Sequence, residues 1–262
     1  MSTGTRNPLK DKPLRNPGQS AEEERRKLLE EKLEPAVLTA LLFILLACFE
    51  WYRHLANVRL NPILLSLVAL LGVLIAARQF IRVRPQVRAL RQGAEGERAV
   101  GQYLERLRAD GYQVFHDVVG TGFNVDHVLI GPAGVFTIET KTWSKPTSGN
   151  ARVKFDGSAL IAGSFTPDRD PATQAKAQAS WLARLLSEST GRPYRVAPVI
   201  VFPGWYVEQV KESRGDIWVL EPKMLPGFLK EEPLRLAPED IALAGYHLSR
   251  FIRGVERDRV PI

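Results

Sequence analysis

Two runs of apolar residues dominate the first third of the chain. Ala36 to Phe49, extended by Trp51 and Tyr52, and Pro62 to Ala77 contain no Lys or Arg and are apolar on every face. A helix that packs onto a soluble core is apolar along one stripe only. Each run therefore predicts a spanning helix of about 17–25 residues once its flanks are counted, and residues 34–82 predict a transmembrane hairpin. Residues 1–33 are polar and Pro/Gly-punctuated. A helix start is expected at Ser20, where Ser-Ala-Glu-Glu-Glu places acids in a first turn, and a disordered tail before it. The long polar lead and the lack of a small-residue cleavage site after the first run argue against a cleavable signal peptide.

From about residue 90 the pattern changes. Val100, Tyr103, Leu104 and Leu107 recur at helical spacing, predicting a helix over 93–109 that Gly111 ends. Glu97 lies three residues before Val100, on the same inward stripe, where a carboxylate is costly unless paired; Glu95 points elsewhere. Strands are expected at Tyr112 to Val119, broken by Gly120-Thr121-Gly122, then at Phe123 to Ile130 and Val135 to Trp143. The last two are joined by Gly131-Pro132-Ala133-Gly134, a four-residue hairpin loop. A second hairpin is expected from Arg152 to Phe155 and Leu160 to Ala162 around Asp156-Gly157-Ser158. A helix over Pro171 to Ser187, strands at Arg195 to Phe202 and Ile217 to Leu220, and a last helix over Pro238 to Val255 complete the pattern. Strands that alternate with helices predict an α/β fold with a mixed sheet flanked by helices.

Composition and charge refine this picture. The chain has 262 residues, 45% of them hydrophobic, with one cysteine, Cys48, and four histidines at no zinc-ligand spacing. An intrachain disulfide and a cysteine-rich metal site are thereby excluded. Residues 1–84 carry 13 of the 36 basic and 8 of the 29 acidic side chains, so five of the seven net positive charges lie there. The remaining domain is nearly balanced, and overall basicity alone does not argue for nucleic-acid binding. The distribution does orient the hairpin. Arg6, Lys10, Lys12, Arg15, Arg25, Arg26, Lys27 and Lys32 precede it, Arg53 and Arg59 lie in its connector, and Arg78, Arg82, Arg84, Arg88 and Arg91 follow. By the bias of basic residues to the cytoplasmic face, both termini and the domain are expected in the cytoplasm.

The hairpin register gathers chemistry. If Ile130 pairs with Val135, Asp126 stands opposite Glu139, and Glu139 and Lys141 share a face. Two facing carboxylates repel at roughly 4.5–5.5 Å. A divalent cation between them removes the repulsion, and hard oxygen ligands suit Mg²⁺ or Mn²⁺. Lys141 is then placed to hold a water or to neutralise charge on a transition state. His127 alternates away from Asp126, and His116 and His127 both read as structural.

These residues resemble a known family. Asp126 followed by Glu139-Thr140-Lys141 is similar to the Asp…Glu-x-Lys pattern of the PD-(D/E)xK phosphodiesterase superfamily. More narrowly, Gly93-Ala94-Glu95-Gly96-Glu97, Asn124 to Ile130 and Gly134 to Lys141 resemble the NERD, or nuclease-related, domain. Asp170-Pro171-Ala172-Thr173-Gln174 resembles that family's Asn-Pro-x-x-Gln, with Asp where Asn is usual. The resemblance covers about residues 91–205 and leaves 206–262 as a C-terminal extension packing on the domain. It implies a restriction-endonuclease-like sheet and a site in which Asp126 and Glu139 ligate Mg²⁺ or Mn²⁺ with help from the Thr140 carbonyl. It further implies that Lys141 is the catalytic lysine, that Glu97 completes the acidic site at the metal or through water, and that Gln174 contacts the site or the substrate backbone. The expected activity is metal-dependent hydrolysis of nucleic acid, DNA first, with the lipid bilayer as second partner through 34–82. A homo-oligomer is left open. Lys145, Arg152, Lys154, Arg169 and Lys176 are candidates to follow a phosphate backbone, and Trp143 and Phe155 to stack on bases. The competing readings are a non-catalytic nucleic-acid-binding or sensing module and a protein-recruiting scaffold at the membrane.

Overall fold

The computed structural model describes residues 14–56, 62–145, 151–155, 160–161, 170–209 and 216–258. Arg6, Lys10, Lys12, Arg59, Arg169 and the turn at 156–158 lie outside them. The chain divides into two compact units, Ser20–Gln92 and a second one made of Gly93–Ile262 together with Met1–Gln19.

The first unit is helical. α1 (Gln19–Leu28) passes through a π-helical turn (Leu29–Leu33) into α2 (Glu34–Leu55), and α3 (Pro62–Leu104) begins after the connector. Both helical stretches are long and apolar enough to cross a membrane. Their burial is inverted relative to a soluble helix pair. The small Ala40, Ala47 and Ala69 are buried, whereas Leu38, Leu42, Leu64 and Leu71 are each more than half exposed. Trp51 Nε1 donates to Ser66 Oγ at 2.8 Å and the Phe43 ring lies against Gly72, which ties the two helices together. The expected separate helix over 93–109 is instead the end of α3, which runs through Pro85 and tightens into a 3-10 turn over Glu105–Asp110. Gly111, at φ 84°, ends it as expected.

The second unit is built on a five-stranded mixed sheet of order β1 (Gln113–Val119), β2 (Asn124–Gly131), β3 (Gly134–Thr140), β6 (Val196–Val201), β8 (Trp218–Leu220). The first three strands are antiparallel, and β6 and β8 join in parallel. One face packs on the end of α3 and on α5 (Leu225–Glu231), through Val100, Leu104, Leu129, Phe136, Ile138 and Leu229. The other packs on α4 (Pro171–Thr190) and α6 (Pro238–Asp258), through Val128, Ile130, Leu182, Leu186, Leu248 and Ile252. A small sheet of β4 (Arg152–Phe155), β5 (Leu160–Ile161) and β7 (Tyr206–Gln209) closes a third cluster.

The segment 206–262 supplies β8 to the main sheet and α6 to one of its faces. Several expectations need correction. The described residues before Ser20 are not a disordered tail. Arg15 is 5% exposed and its guanidinium pairs with Asp117 on β1 and Glu256 on α6. Phe155 cannot stack on bases: it is 1% exposed because β4 alternates Val153 and Phe155 into the third cluster. Trp143 is half-buried with its ring 4.8 Å from that of Phe202.

Candidate active site

The hairpin register is the one the loop dictates. Ile130 pairs with Val135 and His127 with Ile138, which puts Asp126 and Glu139 at facing positions one step further on. Glu139 lies on the α4 side of the sheet, at the end of β3, where Gln174 and Gln178 of α4 reach it. Asp126 Oδ2 accepts the Thr140 backbone N–H at 2.7 Å, and the Lys141 N–H donates to Val201 O at 2.9 Å. The strand end that carries the acids is thus fixed on both edges.

Glu139 is 4% exposed and fully partnered. Lys141 Nζ donates to its Oε1 at 2.6 Å, and Gln174 Nε2 donates to the same oxygen at 2.8 Å. Lys141 Nζ also reaches Gln174 Oε1 at 3.1 Å, so these three side chains close a ring of hydrogen bonds. On the other oxygen, Gln178 Nε2 donates at 2.7 Å while also meeting Asn124 O at 2.9 Å. Gln178 was not foreseen from the sequence, although its spacing of four from Gln174 places both amides on one helix face. Its Oε1 is buried and has no hydrogen-bond partner. Asp170 caps α4, accepting from the backbone N–H groups of Ala172 and Thr173 at 3.1 and 3.0 Å. Asn and Asp cap about equally well, which accounts for the Asp at this position.

Glu97 arrives from α3 because that helix comes very close to the strand exit. A Cβ on Gly96 would lie 1.8 Å from Thr142 Cγ2, so only glycine fits. Burial first, then the charges of Asp117 and Glu139, push the Glu97 carboxyl up to about 7, opposed by the Gly18 backbone N–H and by Lys141. Burial, then Glu139 and Glu97, likewise hold Asp126 well above the usual carboxylate range. Asp117 is a further acid that sequence reasoning missed. His116↔His127 and Val118↔Val125 flank it, which places it opposite Asp126, and the ladder lapses there with Asp117 at φ 48°. Aligning the two predicted strands around Gly120-Thr121-Gly122 would have revealed it.

Asp117, Asp126 and Glu139 thus occupy facing positions on three adjacent strands, and Glu97 feels the charge of two of them. Among the described residues, no group of three His, Cys, Asp or Glu side chains could hold a metal by themselves. Mg²⁺ does not require one, because it commonly takes one or two carboxylates and keeps several waters. Burial first and neighbouring carboxylates second raise both Glu97 and Asp126, so added positive charge is favourable there, and the donors are hard oxygens. The residues fit a divalent cation on that ground.

The histidines take no part in this constellation. His116 Nδ1 and His127 Nδ1 are 2.9 Å apart, His116 Nε2 meets Glu105 Oε1 at 2.9 Å, and burial lowers both imidazoles. Of the candidate phosphate-tracking cations, Arg152 pairs with Glu208 at 3.2 Å and lies over the Tyr206 ring, while Lys145 Nζ sits near Gly204. Lys176 lines a cavity of about 500 Å³ at the starts of β3 and β6 that contains none of the acids. No curated protein and no solved structure matches the chain. Residues 92–203 match the family model NERD, Nuclease-related domain, and the matched stretch contains Glu97, Asp117, Asp126, Glu139, Lys141, Gln174 and Gln178.

Proposed function

We propose that the protein is a membrane-anchored, divalent-metal-dependent nuclease that hydrolyses phosphodiester bonds of DNA on the cytoplasmic side. The observation that carries this reading is the Lys141 ammonium 2.6 Å from a buried Glu139 that stands beside Asp126. Asp126 and Glu139 would hold Mg²⁺ or Mn²⁺, with help from the Thr140 carbonyl and with Glu97 contributing directly or through water. The bound cation would supply Lewis-acid polarisation of the phosphate and lower the pKa of a water.

The chain's own residues do the rest. Gln174 and Gln178 fix both Glu139 oxygens, so the carboxylate cannot swing when charge develops nearby. Lys141 is 20% exposed on its side chain and anchored by Glu139 and Gln174, which leaves an ammonium oriented toward the solvent side of the acids. There it can stabilise negative charge on an attacked phosphate. Lys145 and Lys154 are exposed and can accompany the phosphate backbone. Membrane attachment is supported by the outward-facing leucines of residues 34–82, and the cytoplasmic side by the excess of basic residues before and after them.

The test is a cleavage panel with the full chain in detergent micelles, using single- and double-stranded DNA and RNA, with Mg²⁺ or with EDTA. Cleavage of DNA with Mg²⁺ that is lost in EDTA and in Asp126→Ala, Glu139→Ala and Lys141→Ala supports the reading. Binding of nucleic acid without cleavage in any metal would refute the catalytic part and leave a binding module.

A further inference from the structure

Glu97 has an unusual support. Residues ahead of the first apolar helix fold back onto the domain and touch it. Asn16-Pro17-Gly18-Gln19 is a tight turn, with Gln19 N donating to Asn16 O at 3.2 Å and Asn16 N to Gln19 Oε1 at 3.1 Å. Proline at the second position and glycine at the third, with Gly18 at φ 74°, suit a type II turn. The turn is seated closely. A Cβ on Gly18 would lie 2.8 Å from Ala94 O, and a Cβ on Gly101 would lie 2.8 Å from Pro17.

Arg15 is the anchor. Its Nε donates to Asp117 Oδ2 at 2.7 Å, with both side chains 2% exposed, and its Nη1 pairs with Glu256. Leu14 packs into the cluster under α4 and α6. From this seat, with Gly18 against Ala94 three residues before Glu97, the Gly18 backbone N–H lowers the Glu97 carboxyl against the push of burial. A buried ion pair at one end of a five-residue segment and a backbone donor at the other make a device that is costly to dislodge. Its anchor also neutralises Asp117, the acid that stands opposite Asp126.

We propose that Leu14–Gly18 is a strap belonging to the active site, in which Arg15 fastens the segment to Asp117 and Glu256 so that the Gly18 N–H holds Glu97 beside Asp126 and Glu139. Gly18 and Arg15 are positioning residues, and the proposal rests on the reading of the acids as a cation site. The strap precedes α1 in the chain, so a domain fragment begun after the apolar helices would lack part of its own site.

The test uses the full chain in nanodiscs and two readouts. The first, in EDTA, is hydrogen exchange at the peptide carrying Gly18. Glu97→Ala should speed exchange there about tenfold while leaving the Gly111 region unchanged, because only the former loses its acceptor. The second is Mn²⁺ affinity by calorimetry. Gly18→Ala should weaken Mn²⁺ about tenfold in the wild-type background, as loss of an outer support does, and have no further effect in Glu97→Ala. Arg15→Met should act in the same direction. Unchanged exchange at Gly18 in Glu97→Ala overturns the contact. Equal weakening by Gly18→Ala with and without Glu97 overturns positioning and shows general damage. Wild type that binds no Mn²⁺ yet shows Glu97-dependent protection refutes the metal reading while the strap contact stands.

Discussion

Gln178→Leu removes an amide that donates at 2.7 Å to a buried carboxylate oxygen and at 2.9 Å to the Asn124 carbonyl. Leucine has similar bulk, so the change is chemical rather than steric. A hydrogen bond to a charged group is worth about 1.5–3 kcal/mol and a neutral one about 1 kcal/mol. Removing the unpartnered Oε1 recovers part of this, because that atom already bears an unmet desolvation cost. The net loss should be roughly 2–3 kcal/mol, or a fall in Tm of about 4–12 °C for a domain of this size. Thermal melting of the metal-free protein reads it directly. A double-mutant cycle with Glu139→Gln should show a coupling of about 1–2 kcal/mol, since the charged acceptor is what makes the bond strong. A Gln178→Leu protein that melts within about 1 °C of wild type would refute the claim that this amide supports Glu139.

Other consequences are as specific. Asp126→Asn should raise the Tm of the metal-free protein while abolishing metal-dependent cleavage, because it removes one of several acids that push against each other; a lower Tm would contradict that crowding. Glu97, at about 7, binds a proton more readily folded than unfolded. Its contribution to stability is therefore complete below the ordinary carboxylate range and lost as pH rises through about 7. Added Mg²⁺ should accordingly raise the Tm more at pH 8 than at pH 5.5, because ligands bind metal deprotonated; melting curves at the two pH values decide. Asp170→Ala should cost about 1 kcal/mol through loss of the α4 cap, and Asp170→Asn almost nothing, as read by chemical denaturation. Phe155→Ala should lower stability by about 3–5 kcal/mol, the cost of a core cavity, and a base-stacking role would instead lower nucleic-acid affinity with little change in Tm.

The parts of the fold that were legible in the sequence are those governed by local rules. The loop from Gly131 to Gly134 fixed the register of β2 and β3, and alternation then determined which face Asp126, Glu139 and Lys141 would share. Gly111 marked a helix end through a backbone preference that operates within a few residues. What was hidden depends on distance along the chain. Arg15 meets Asp117 and Glu256 across 102 and 241 positions, and nothing near Arg15 distinguishes it from the other basic residues of the tail. Gln178 lacked a signal of its own, being one amide on a helix whose facing strand had not been placed. Phe155 was misread because a four-residue strand alternates in the same way whether its outer sheet faces solvent or a neighbouring core. The continuity of α3 was missed because its apolar first half and its amphipathic end carry different patterns, with Pro85 between them.

The central claim is that Asp126 and Glu139 share one divalent cation beside Lys141. Anomalous scattering from crystals of the full chain soaked in Mn²⁺ tests it most directly. A single strong peak is expected within coordination distance of a carboxylate oxygen from each acid, lost in Glu139→Ala. No peak there at saturating Mn²⁺, with the acids still ordered, would contradict it.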